Sequence, residues 1–101
     1  MDHKLKVAVI IAAMNASATI TRAIISALAD QNVAEVIVVD DASSDDTAAV
    51  ARAADDGSNR LTVLVQPVNA GPAAARNRAV DASSSPLIAV LDADDFLLPG
   101  R

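Results

Sequence analysis

A chain of 101 residues has length for one hydrophobic core and is read as a single domain over 1–101. Hydrophobic residues make up 52% of it, but the aromatic content is one Phe, so each buried side chain removes little area from water. A formal charge of −5, without a Lys/Arg cluster or stacking aromatics, argues against a nucleic-acid partner, and zero cysteines exclude disulfides and thiolate metal sites.

The apolar stretches fall far short of the ~20 residues that span a bilayer, and the opening MDHKLKVAVIIAAMN lacks the h-region length of a signal peptide. The expectation is a chain without a membrane segment, in the cytoplasm. An acidic chain still accepts a nucleotide when a carboxylate-held divalent cation neutralises the phosphates.

In chain order, the first apolar run is KVAVIIA (6–12). A helix follows, with Ile20, Ile24 and Leu28 at i, i+4, i+8 and Ser17 or Thr19 available as N-cap. The second run is EVIVVD (35–40); SSDDT then suits an N-cap and first turn, and AAVARAA continues until DDGSN stops the helix at Gly57. The third run, LTVLVQ (61–66), leads to a helix opening at Gly71 with Pro72 at N1 and halting at SSSP. The fourth run is LIAVLD (87–92).

All four runs are rich in Val and Ile and continuous rather than alternating, as in strands covered on both faces. The order βαβαβαβ implies right-handed crossovers and a mainly parallel sheet between helical layers, an α/β three-layer sandwich.

Ligands of such sheets bind beyond the carboxyl ends of the strands. Those ends carry Ala12, Ala13, Met14 and Asn15 on the first strand, Asp40 and Asp41 on the second, and Asp92, Asp94 and Asp95 on the fourth. Asp after a strand is commonly only a turn residue. Two acidic clusters on one edge are harder to reduce to that, because carboxylates ~4 Å apart repel by about 4 kcal/mol at an effective dielectric near 20.

In an extended segment Asp92 and Asp94 point the same way and suit Mg²⁺ or Mn²⁺, which keep few protein ligands and take the rest from phosphate and water. With Gly only at 57, 71 and 100, there is neither a G-x-G-x-x-G nor a P-loop to cradle phosphates. NAGPAAARN (69–77) supplies either a helix N-terminus facing an anion or simply a well-capped crossover helix. Arg76 and Arg78, two apart, project from separated faces and are not expected to reach the pocket together. His3 beside Lys4 lacks a partner that would make it a base or ligand. The remaining acids, Asp30, Glu35, Asp45, Asp46, Asp55, Asp56 and Asp81, are expected off the ligand edge.

With VAVIIAAMN, VIVVDDASSDDTAAVA, NAGPAAARNRAV and LIAVLDADDFLLPGR in this order, the sequence resembles the amino-terminal half of the family 2 glycosyltransferases, of GT-A fold. The resemblance implies inverting transfer of a sugar from a nucleotide diphosphate sugar, often a UDP-sugar, to an acceptor hydroxyl on a carbohydrate or lipid-linked glycan, in polysaccharide or cell-envelope synthesis. It implies that Ala12, Ala13, Met14, Asn15, Asp40 and Asp41 line the base and ribose pocket, with Gly71 and Arg76 beside it. It further implies that Asp92 contacts the ribose or the metal's shell and that Asp94 binds Mn²⁺ or Mg²⁺.

Two departures stand out. The family usually has Pro and an aromatic where Ala12 and Met14 stand, so base stacking is rearranged. The family's acceptor site and general base lie beyond a position matching Arg101, so residues 1–101 are expected to bind donor without turning over, as a piece of a longer enzyme.

Two other classes compete. A receiver-type phosphoacceptor places its acidic pair after the first strand and needs a late Lys, whereas the only lysines are Lys4 and Lys6; a D-x-D phosphatase also needs an Asp where AAMN stands. A non-catalytic interaction module would use the acidic ends as solvated turns. Self-association is expected if the fourth strand is an open sheet edge with Phe96, Leu97 and Leu98 uncovered.

Overall fold

Among the described residues seven elements alternate: β1 (Val7–Ala13), α1 (Ile20–Leu28), β2 (Val33–Asp40), α2 (Thr47–Ala53), β3 (Leu61–Val65), α3 (Pro72–Ala82) and β4 (Leu87–Val90). The structure is a computed structural model that describes residues 6–96, so His3, Leu97 and Leu98 lie outside the described residues. The four strands form a wholly parallel sheet in the order β3-β2-β1-β4. The first strand made is therefore interior, and the strand order reverses beside it.

Alternation of side chains along β1 and β2 divides the core between two faces. On one face Val9, Ile11, Val36 and Val38 meet Ile20, Ile24, Leu28 and Ala51 of α1 and α2; on the other Ile10, Ile37 and Val39 meet Ala75 and Ala79 of α3. Helices thus cover both faces, giving the α/β/α sandwich the chain pattern predicts. Ile20, Ile24 and Leu28 are all buried, as their helical spacing requires.

The two-face cover inferred from continuous apolar runs holds for β1 and β2 and fails at the sheet edges. On β4, Leu87, Ile88 and Val90 remain 43%, 40% and 58% exposed. The reason is where the helices lie: α3 packs on β1 and β2 and stops short of β4, whose Ala89 alone reaches the core on the α1 face. A run of Val and Ile reports strand propensity, and cover depends on neighbours it does not encode.

Three boundaries differ from expectation. Thr19 stands at the α1 N-cap, but neither its side chain nor that of Ser17 caps the helix; the Thr19 hydroxyl donates back to the Ala16 carbonyl at 3.4 Å. α2 ends at Ala53, ahead of Gly57, because the Asp55 and Asp56 carboxylates accept the N–H groups of Gly57 and Ser58 in successive Asx turns. β4 ends at Val90 and not at Asp92, since the Asp95 N–H donates to the Asp92 carbonyl at 3.0 Å and closes a turn. The start of α3 follows the sequence reading, with Gly71 at φ +93° before Pro72.

Two side chains tie the rim remote from the strands' carboxyl ends. Arg60, just ahead of β3, donates to the carbonyls of Val33 (2.8 Å), Asp30 (3.2 Å) and Leu28, closing the C-terminus of α1. Glu35 accepts from Ser83 Oγ (3.0 Å), the Ser84 N–H (3.0 Å) and Ser85 Oγ (2.5 Å), fastening the link from α3 to β4. Burial alone would raise the Glu35 carboxyl; the bonds from Ser85, Ser84 and Ser83 outweigh it and hold the group below the ordinary glutamate range.

Candidate functional site

The strands' carboxyl ends form one rim, and Asp41 and Asp94 both follow strands that end there. Ladder contacts continue past the strands: the Asp41 N–H donates to the Ala13 carbonyl (2.8 Å) and the Leu91 N–H to the Ile10 carbonyl (3.0 Å). Val90 pairs with Ile10 and the Leu91 N–H still reaches the Ile10 carbonyl, so the 92–95 turn follows directly on the β1–β4 ladder. The acidic turn therefore rises beside the end of β1.

A cleft of about 260 Å³ opens on this rim, lined by Ala12, Ala13, Met14, Asp41, Asn69, Gly71 and Pro72. Of the residues singled out from sequence, Ala12, Ala13, Met14, Asp41 and Gly71 come together here. Asn69 and Pro72 were missed as site residues, although the NAGP stretch that carries them had been noticed. Asn69 donates its Nδ2–H to the Met14 sulfur at 3.0 Å, joining the two sides of the cleft.

Asp41 is 3% exposed, and its two carboxylate oxygens accept the N–H groups of Ala70 and Gly71, each at 2.9 Å. These donors stand at the entry to α3, where a bound anion would otherwise be held. An internal carboxylate takes up these two N–H groups ahead of the helix, while no side chain caps the first turn of α3 itself.

Asp40 and Asn15 stand behind the cleft rather than in it. Asp40, 4% exposed, accepts from the Ser43 N–H (3.1 Å) and Ser43 Oγ, while Ser43 Oγ receives the Asn15 N–H at 2.8 Å. Asn15, at φ 51°, accepts the Ser44 N–H (2.8 Å) through Oδ1. Ala42 sits at φ 59°, a left-handed conformation costing an L-residue roughly 1–2 kcal/mol, so this loop is held by its bonds and not by local preference.

Asp45, expected off the ligand edge, lies on it. It bonds the Thr47 hydroxyl and the N–H groups of Thr47 (3.0 Å) and Ser17 (3.3 Å), and Thr47 Oγ1 accepts the Ala16 N–H (2.9 Å). The Thr47 hydroxyl bond is the main reason its carboxyl titrates below the usual aspartate range. The SSDDT stretch thus braces the loop after β1 against the loop after β2, which was invisible to a reading of local caps.

Arg78 donates to the Val65 carbonyl (2.8 Å) and Gln66 Oε1 (2.7 Å) and seals the end of β3. Arg76 falls on the helical stripe of Pro72, one turn along, and has no hydrogen-bond or ion-pair partner among the described residues. Its Cα–Cβ bond tilts toward the α3 N-terminus, the cleft side.

The 92–95 turn replaces the extended geometry expected of Asp92 and Asp94. Asp92, Asp94 and Asp95 are exposed, and Asp95 accepts the Phe96 N–H at 2.8 Å. Beyond the turn the Phe96 ring lies under the Arg22 guanidinium of α1, 4.4 Å from centroid to Cζ, which tethers the far end of the acidic segment. Among the described residues no group of three or more acidic, His or Cys side chains is arranged to hold a metal. Two solvated carboxylates do fit Mg²⁺ or Mn²⁺ in the form that leaves most positions to water and phosphate.

A sequence profile described as "Glycosyl transferase family 2" matches residues 8–101. The chain belongs to glycosyl transferase family 2. Membership sets this family 2 chain with the transferases rather than with receiver-type phosphoacceptors. It is 62% identical over 95 residues to the succinoglycan biosynthesis protein ExoU of Rhizobium meliloti (strain 1021), covering 94% of this chain and 28% of that protein.

Solved structures of similar fold include S. aureus TarS 1-349 in complex with UDP, with TM-score 0.78, 28% identity, and coverage of 91% of this chain and 28% of that one. Another is the mannosyltransferase PcManGT of Pyrobaculum calidifontis in complex with GDP-Man and Mn²⁺, with TM-score 0.85, 26% identity, and coverage of 98% and 30%. The family 2 chain thus spans less than a third of the length of these relatives. No helix among the described residues is long and apolar enough to cross a membrane.

Proposed function

We propose that this chain is the donor-binding part of an inverting glycosyltransferase that moves a sugar from a nucleotide diphosphate sugar to an acceptor hydroxyl, in the synthesis of a polysaccharide or envelope glycan at the cytoplasmic side. The observation that carries the reading is an apolar cleft at the strands' carboxyl ends, beside the reversal of strand order, with a solvated acidic turn following the neighbouring strand β4. Family membership, the printed name of ExoU and the nucleotide complexes of TarS and PcManGT support it.

In this reading Ala12, Ala13, Met14 and Pro72 offer the base an apolar wall. Asp41 orders the 70–71 backbone, and Asn15 and Asp40 hold the surrounding loops. Arg76 leans from α3 toward the diphosphate. Asp92 and Asp94 would hold Mn²⁺ or Mg²⁺, which when bound offsets the charge of the departing diphosphate. The acceptor-activating base is assigned to a part of the longer enzyme outside residues 1–101, so donor binding and not turnover is the property to measure.

Calorimetric titration with UDP, GDP and their sugars, with and without Mn²⁺, is expected to show metal-dependent binding. Asp94→Ala should weaken it by on the order of tenfold or more, toward the level seen without metal. Binding of no nucleotide under any of these conditions would sink the proposal. Self-association through the exposed β4 edge belongs to the same reading, and sedimentation equilibrium should show dimers or larger species; monomer alone at high concentration would refute it.

A further inference from the structure

Met14 is the one oxidisable sulfur in the cleft. The chain has no Cys, Trp or Tyr and two methionines, Met1 and Met14. Met14 is 51% exposed, so an oxidant in solvent reaches it. Its sulfur also accepts the Asn69 Nδ2–H at 3.0 Å, which makes it half of the bridge across the cleft. The rest of the adjoining wall is the methyl and methylene surface of Ala12, Ala13 and Pro72.

We propose that Met14 is a redox modification site that closes the cleft to nucleotide when its thioether becomes a sulfoxide. The inference rests on the reading of the cleft as a nucleotide site. The oxidant is a peroxide. The sulfur lone pair attacks one peroxide oxygen, the O–O bond breaks as the S–O bond forms, and the proton on the transferred oxygen passes to the departing hydroxide, leaving sulfoxide and water. Sulfur loses two electrons and the peroxide gains them.

Two consequences follow from the geometry. A thioether is soft and apolar and packs well against an aromatic ring, whereas a sulfoxide is polar and must lose its hydration before a base can lie on it. The sulfoxide oxygen is also a far stronger acceptor than thioether sulfur, so the Asn69 amide binds it more firmly and the bridge across the cleft tightens. Both changes disfavour the bound state, and a methionine sulfoxide reductase reverses them.

The test uses the full chain treated with hydrogen peroxide, with peptide mass spectrometry to follow oxygen addition at Met14 and calorimetry to follow UDP in the presence of Mn²⁺. Oxidation should weaken binding on the order of tenfold, the factor expected for desolvating one polar oxygen, and reductase treatment should restore it. Met14→Leu should bind with the same affinity before and after peroxide, although Met1 is still oxidised. The proposal is overturned if peroxide leaves Met14 unmodified, or if protein carrying the Met14 sulfoxide binds as tightly as before. Untreated protein that binds neither UDP nor GDP would instead refute the nucleotide site, and this inference with it.

Discussion

Replacing Asp41 with alanine is expected to destabilise the domain by about 3 kcal/mol, because two charge-assisted hydrogen bonds disappear and two backbone donors lose their partners. Small domains are held by only about 5–15 kcal/mol, and a core of alanine, valine and isoleucine without a buried aromatic belongs toward the lower end of that range. The change should therefore lower the melting temperature by roughly 15 °C. Asn is a poor substitute. Its single carbonyl oxygen accepts one of the N–H groups while its NH₂ opposes the other, so Asp41→Asn should recover less than half of the loss.

The same substitution removes what holds residues 70 and 71 over the cleft, so nucleotide affinity should fall even where the protein remains folded. Urea midpoints at constant m-value, with nucleotide titration of the folded fraction, check both effects. A midpoint equal to that of the parent would show that the carboxylate does not hold the entry to α3.

Arg60→Ala is expected to be next in size, at about 2 kcal/mol, since one guanidinium satisfies three backbone carbonyls around the end of α1 and its loop to β2. Arg60→Lys should restore only part of this, because one ammonium cannot reproduce the planar fork that reaches all three oxygens. The ion pair with Asp56, at 3.6 Å and open to solvent, contributes little by comparison, so Asp56→Ala should be far milder than Arg60→Ala. Hydrogen exchange localises the effect: amides at the end of α1 should lose protection in Arg60→Ala and not in Asp56→Ala. Equal stability of Arg60→Ala and the parent would refute the capping role.

Much of what depended on local pattern was legible in the sequence, the exact ends of α2 and β4 and the capping of α1 excepted. The stripe Ile20, Ile24, Leu28, the Gly71–Pro72 entry to α3 and the buried runs of β1 and β2 each carry their cause within a few residues. The rim of the sheet was legible too, because parallel strands oblige their carboxyl ends to meet. The division of labour on that rim was not. Asp40, Asp41, Asn15 and Asp45 look alike as polar groups after strands, and only the fold shows Asp41 spent on the backbone 29 and 30 residues ahead. Arg60 carried no local signal at all, since its partners lie 27 to 32 residues earlier. The 92–95 turn was misjudged because a strand was extended through its last apolar residue, although an Asp-rich tetrapeptide forms turns as readily as it continues strands.

The place of β1 between β2 and β4 has a bearing on how the protein is made. Its second flank is closed by residues 87–90, which leave the ribosome after the other three described strands. At about 5–20 residues per second, β1 waits roughly 4–15 s after its own synthesis for that partner. During this interval the backbone groups of Ala8 and Ile10 face an open hydrogen-bonding side, and nascent chains crowded on one message could pair there with each other. Slowing translation ahead of residue 87 should therefore lower the yield of folded protein more than an equal pause placed after residue 96.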